Sequence, residues 1–154
     1  MEISLCTKAD FDQIRADTVD FWGSDRALSL HHPIFLYEFG NSAFVIKDRG
    51  IVAAYLFGFI SQTEPIGYAQ FLAVRPAYRG QGLATHLYEH FTEFARARGC
   101  TGLKAFTRPF NAASIAFHKS IGMELLGEPD ENGVPVIRDY AAPGEHRVVF
   151  RKSI

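Results

Sequence analysis

The chain has 154 residues, of which 47% are hydrophobic and 21% charged, with 14 Phe and a formal net charge of −1. That length fits one domain, residues 1–154, with room for a sizeable aromatic core. A sequence pI of about 6.6 argues against the broad basic surface that nonspecific nucleic-acid binding requires.

The N-terminal run MEISLCTKADFD shows no basic stretch followed by an apolar one, so no signal peptide is expected. Ile3 to Cys6 reads as a short strand, and Thr7 or Asp10 can cap a helix reaching about Val19. Residues 20–39 contain a break at Pro33, with helix on both sides as the simplest reading. Ser42 to Ile46 is a strand, and Lys47-Asp48-Arg49-Gly50 is a hairpin turn. Ile51 to Ile60 is nearly continuous apolar sequence, as in a strand buried on both faces. The apolar run from Gly50 is too short to span a bilayer, and a soluble cytoplasmic protein with no membrane partner is expected. Gly67 to Val74 is a further strand, with Tyr68, Gln70, Leu72 and Val74 on one face.

From Gly80 the period becomes helical, through Leu83, Leu87, Phe91 and Phe94. Leu103 to Thr107 is a strand, and Asn111 caps a helix that runs to about Ile121. Met123 to Leu126 is a short strand, residues 127–146 read as a long loop, and Arg147 to Arg151 is a last strand. Early hairpins and later strand–helix–strand units together predict a mixed α/β sheet covered by helices. Cys6 and Cys100 form no Cys-x-x-Cys pair, so neither a zinc site nor a disulfide framework is implied.

The most informative stretch is Val74 to Ala84, VRPAYRGQGLA, at a strand-to-helix junction. The first amides of a helix have no internal partner and sit at the positive end of its dipole, which favours an anion. Gly80 and Gly82 remove side chains that would block one, and Arg75 and Arg79 can add charge-assisted bonds. Close helix-to-strand packing is the competing account of the glycines. No Gly-Lys-Ser/Thr follows, so a P-loop is unsupported, and Thr85 occupies the place of a third dinucleotide-binding glycine.

This stretch resembles the acyl-coenzyme A loop of the GNAT superfamily of N-acetyltransferases, whose signature is Arg or Gln, two residues, Gly, one residue, then Gly or Ala. Arg79, Gly82 and Ala84 meet its fixed positions. Asn111-Ala-Ala-Ser-Ile-Ala-Phe-His-Lys-Ser-Ile-Gly-Met123 is similar to the family's second motif. The resemblance covers nearly the whole chain. It implies a central mixed sheet of about six to seven strands with about four flanking helices, splayed between the fourth and fifth strands. It further implies that the amides of Arg79, Gly80, Gln81, Gly82, Leu83 and Ala84 hold the pyrophosphate of acetyl-CoA. Phe71, Leu72, Ala73 and Val74 would then line the pantetheine arm, with the N–H of Leu72 or Ala73 facing the developing oxyanion.

The family's proton donor is a tyrosine of the second motif, and His118 stands in its place, as a candidate acid and CoA contact. Asn111 is both a cap and, by resemblance, a CoA contact. The strand Gly67 to Val74 holds no carboxylate, which leaves Glu64, Tyr68 or Gln70, through water, as candidates for receiving the amine's proton. Acceptor candidates are Trp22, Asp25, Arg26, Tyr37, Tyr68, Gln70 and Arg108, joined by His31, His32, Asp139 and Tyr140. Asp25 and the acidic stretch Glu128 to Glu131 would attract a cationic amine. The pair His31-His32 lacks further ligands at metal spacing, so no metal is expected. The resulting expectation is an acetyl-CoA-dependent N-acetyltransferase for a primary amine of a small molecule or peptide. A CoA-binding sensor without turnover is the alternative. Relatives are often dimers, which makes a homodimer an allowed assembly.

Overall fold

The computed structural model describes residues 1–154. The chain divides into two compact units, Met1–Phe59 with Gln70–Phe94, and Ile60–Ala69 with Ala95–Ile154.

In the first unit β1 (Ile3–Leu5) pairs antiparallel with β2 (Ala43–Asp48). Thr7 caps α1 (Lys8–Ala16). Its hydroxyl accepts from the Asp10 N–H while the Asp10 carboxylate accepts from the Thr7 N–H, satisfying two amides at the helix start. The helix predicted to reach Val19 breaks at Asp17, and α2 (Thr18–Trp22) follows. The Thr18 hydroxyl bonds back to the Ile14 and Arg15 carbonyls, at 3.3 and 2.8 Å, competing with the helical ladder there. The break predicted at Pro33 is a helix start: α3 (Ile34–Tyr37) begins directly after it, since proline suits a first turn.

The hairpin from β2 to β3 (Ile51–Ile60) turns on Arg49 and Gly50, with φ of 49° and 85°. Two positive φ values match the twist of the flanking strands. Val52 to Phe57 are at most 1% exposed, as the apolar run predicts. The pleat sends Ala43, Val45, Tyr55 and Phe57 to one face, where they pack with Phe11, Ile14 and Phe21 of the early helices. The register Phe44–Leu56 and Ile46–Ala54 occupies the other face, where Phe44 meets His90 and Phe94 of α4 (Leu83–Arg96). Burial pushes the Cys6 thiol up to about 12. β4 (Ile66–Val74) contributes its second half to this unit, with Phe71 and Ala73 buried and Gln70, Leu72 and Val74 half-buried.

In the second unit the first half of β4 pairs in parallel with β5 (Gly102–Thr107), from Ile66–Gly102 to Ala69–Ala105. β5 also pairs antiparallel with β9 (Glu145–Ser153). Asn111 caps α5 (Ala112–Ser120), accepting from the Ser114 N–H at 3.1 Å. β6 (Glu124–Leu125) pairs with β9, and β8 (Pro135–Ala142) pairs with both β9 and β7 (Glu128–Pro129). The predicted loop over 127–146 is therefore largely sheet. Its strands are short or mostly exposed and two begin or end on proline, so apolar alternation does not mark them.

Strand order is β1-β2-β3-β4 in the first unit and β4-β5-β9-β8-β7 in the second. The mixed α/β class is as expected, with nine strands in place of six or seven. The helices number five, because the first predicted helix is two. No helix is long and apolar enough to cross a membrane.

Candidate functional site

In the first unit β4 ends at Val74, a 3-10 turn covers Pro76–Tyr78, and α4 begins at Leu83. The His86 N–H donates to the Gly82 carbonyl at 3.0 Å. The amides of Leu83 and Ala84 thus precede the first helical bond. Gly80 and Gly82 have φ of 76° and 78°, and a Cβ at either would meet nothing within 4 Å. Tight packing is therefore not what these glycines serve. They supply left-handed backbone and leave open space beside the amides. A phosphate-bearing group fits such a turn at the positive end of a 14-residue helix.

Both arginines of this stretch are engaged by protein groups. Arg75 bonds Asp20 at 2.7 Å and Asp17 at 3.0 Å, donates through Nε to the Val52 carbonyl at 3.0 Å, and lies 4.5 Å from the Phe21 ring centre. Arg79 donates through Nε to the Val74 carbonyl at 3.1 Å and through Nη2 to the Phe21 carbonyl at 3.3 Å. The sequence carries no local signal for Asp17 and Asp20, which lie over fifty residues away.

Behind Phe71 sits a closed polar chain. The Trp22 Nε1–H donates to the Tyr55 hydroxyl, which donates to His31 Nε2, both at 2.7 Å. His31 Nδ1–H donates to the Ala27 carbonyl at 2.7 Å, and its ring stacks on Phe71 at 4.2 Å. A carbonyl only accepts, which fixes the tautomer. Burial, aided by the Arg15 charge, lowers the His31 pKa despite the Ala27 bond. His32 accepts from the Ile34 N–H, so the two histidines serve backbone and core. No group of three or more potential metal-ligating side chains is present. Trp22 is a member of this chain, whereas Asp25, Arg26 and Tyr37 are exposed. Arg26 reaches only as far as the Ser24 hydroxyl.

In the second unit Glu64 is paired with Lys104 and Arg151, both at 2.9 Å. The Lys104 and Arg151 bonds lower its pKa, which weakens it as a base. Tyr68 and Tyr140 share a 2.6 Å hydroxyl contact beside the Phe106 ring. His118 is 5% exposed and stacks on Phe150 at 4.2 Å with an interplanar angle of 8°. Its Nδ1–H donates to the Ser114 carbonyl at 2.7 Å. Burial lowers its pKa, against that bond, so the neutral ring carries its acceptor lone pair on Nε2. Such a ring donates to a thiolate only after taking up a second proton.

Arg108 lies 6.0 Å from the Phe110 ring and lines a cavity of ≈ 380 Å³ with Asp130, Glu131, Glu145 and Arg147. The acidic stretch is partly structural, since Asp130 Oδ1 accepts from the Asn132 and Val134 amides. Asp139, at φ 55°, accepts from the Gly144 N–H. Phe110, 74% exposed on the cavity wall, carries no spacing signal that singles it out.

Comparison with known proteins gives this geometry a family. The family model for the Acetyltransferase (GNAT) family matches residues 10–123. Among curated relatives, an aminoglycoside N(6')-acetyltransferase type 1 of Acinetobacter genomosp. 13 is 28% identical over 89 residues, covering 58% of this chain and 60% of that protein. An L-methionine sulfoximine/L-methionine sulfone acetyltransferase of Salmonella typhimurium is 27% identical over 148 residues, covering 87% of this chain and 86% of that protein. Among solved structures, an aminoglycoside 6'-N-acetyltransferase complexed with coenzyme A superposes with a TM-score of 0.72 at 12% identity, covering 99% of this chain and 97% of that one.

Proposed function

The chain belongs to the Acetyltransferase (GNAT) family, and on that premise we propose that residues 1–154 work as one acetyltransferase domain, moving an acetyl group from acetyl-CoA to a primary amine of a small molecule or peptide. The observation that carries this reading is the open turn Gly80–Ala84, with its left-handed glycines at the start of α4. Acetyl-CoA, when bound, supplies the activated acyl thioester. The turn amides bind its pyrophosphate, and Phe71 to Val74 orient the pantetheine arm along β4. The Leu72 or Ala73 N–H is the backbone donor available to the carbonyl oxygen under attack. Asn111 and His118 are the second motif's contributions to the same cofactor. Support comes from the relatives, named as acetyltransferases of an aminoglycoside and of L-methionine sulfoximine or sulfone, and from the neighbour named as a coenzyme A complex.

Holding amine and thioester together supplies much of the rate, with effective molarities of about 10⁵ M or more in well-oriented systems. Side-chain proton transfer contributes less here. Glu64 remains ionised in its two ion pairs, and His118 at neutral pH is a buried acceptor. Tyr68, with its hydroxyl on Tyr140, and the half-buried Gln70 are the remaining candidates on β4 for contact with the acceptor.

A midpoint rise of about 5–10 °C at 100-fold saturation is expected for CoA and acetyl-CoA, and none for ATP or NAD. No stabilisation by either CoA species would end the cofactor assignment. Thiol release across a panel of aminoglycosides, amino acids and peptide amines then identifies the acceptor. The state of His118 and Glu64 also favours a second reading, a CoA-binding sensor, which stabilisation by CoA with no thiol release on any amine would establish. Unchanged turnover in His118→Ala on an accepted amine would remove its acid role.

A further inference from the structure

We propose that Arg75 is a positioning residue for the pyrophosphate turn, and that Asp17, at the start of α2, and Asp20 within it set CoA affinity through Arg75 without touching CoA. The proposal rests on the reading of Gly80–Ala84 as the CoA site. By charge and position Arg75 looks like an anion ligand. Its side chain is 13% exposed, and Nε, Nη1 and Nη2 are engaged by the Val52 carbonyl, Asp20 and Asp17 respectively. Its face lies against the Phe21 ring. Four residues on, Arg79 takes the carbonyl of the same Phe21, and also that of Val74. The Tyr78 hydroxyl donates to Asp48 at 2.9 Å, tying the segment to the β2–β3 hairpin. The segment before the glycines is therefore held at its entry and its exit by one residue of α2. Amides that must converge on a phosphate bind best when fixed beforehand.

The two roles of Arg75 predict opposite signs. If Arg75 served the anion and the acids merely screened it, removing their charge would tighten CoA binding, because like charges near an anion repel it. If Arg75 splints the turn, removing them loosens the amides and weakens binding. Asp17→Asn/Asp20→Asn is expected to weaken CoA binding about five- to tenfold by calorimetry, the scale of losing exposed charge-assisted bonds. Equal or tighter binding overturns the proposal. Arg75→Lys keeps the charge but lacks the planar fork, so it should weaken binding as much as Arg75→Gln. Near wild-type affinity in Arg75→Lys would make Arg75 an anion ligand after all.

Hydrogen exchange without ligand supplies the second readout. The Gly80 to Leu83 amides should exchange several-fold faster in the double variant, while those of Val52 to Phe57 are unchanged. Unchanged turn exchange overturns the proposal. If the double variant unfolds, Asp20→Asn alone, at a half-exposed carboxylate, carries the same two tests with the same outcomes. Absence of CoA binding by the unaltered protein would instead remove the cofactor reading, and turn exchange would still decide whether Arg75 splints the segment.

Discussion

The turn Arg79 to Ala84 and the segment Asn111 to Met123 both carry family motifs, yet they use their residues in different ways. In the turn, two left-handed glycines shape an open backbone, and the Arg79 side chain bonds back to the Val74 and Phe21 carbonyls, as Arg75 just before it bonds to Asp17 and Asp20. In the second segment the motif side chains are engaged within the fold. Asn111 caps α5, and His118 lies flat on Phe150 with its proton on Ser114. A motif can thus identify a family by its backbone requirement at one place and by its packing at another.

The largest expected effect tests the backbone side of this comparison. Gly82→Glu combines a left-handed φ, costing about 1–2 kcal/mol for an ordinary residue, with a carboxylate beside the phosphate. CoA binding should fall at least about 100-fold, while the far-UV circular dichroism is retained. A loss under tenfold in calorimetry would mean that these amides are not the anchor.

Next comes the packed side chain network of the first unit. Tyr55→Phe removes the hydroxyl that serves both Trp22 and His31. Urea unfolding should show a loss of about 1–3 kcal/mol, since the buried His31 ring loses its partner while the indole N–H of the more exposed Trp22 can turn to water. A loss below 0.5 kcal/mol, on the order of a surface change, would mean the chain is relieved by water.

A smaller effect is in pH. His31 and His118 are both held below the ordinary value of 6.5 by burial. The unfolded chain therefore takes up more protons as pH drops below that value. Their contribution to stability is complete above it and is lost as pH falls through the depressed folded values, at up to about 1.4 kcal/mol per unit for each ring. His118→Phe should flatten the acid side of the stability profile. An unchanged slope would place the titrating groups elsewhere. The smallest effect is the cap: Asn111→Ala should cost about 1 kcal/mol, read by thermal unfolding, with catalytic loss no greater than its effect on CoA binding. A turnover loss beyond that would give Asn111 a role past capping.

Much of the frame was legible from local patterns. The buried strand Ile51 to Ile60, the alternation along β4, the helix stripe from Leu83 and the Asn111 cap all depend on near neighbours in sequence. The illegible parts depend on distance. Glu64 looks like a candidate base until Lys104 and Arg151 close on it, and Arg75 looks like a phosphate ligand until Asp17 and Asp20 do. β8 escaped because its exposed, proline-started sequence carries no apolar period. The two-helix break at Asp17 escaped because no proline or glycine marks it, only a threonine whose hydroxyl bonds back to the preceding turn.

The burial of Cys6 has a chemical consequence for a protein that handles an activated acyl group. A thiol is acylated through its thiolate, and with a pKa of about 12 only on the order of one Cys6 in 10⁵ is ionised at neutral pH. Packed beneath the first helix at 7% exposure, it neither competes with an amine for the acyl group nor accumulates as a dead-end thioester. The same fold that builds the core also keeps this sulfur nucleophile silent.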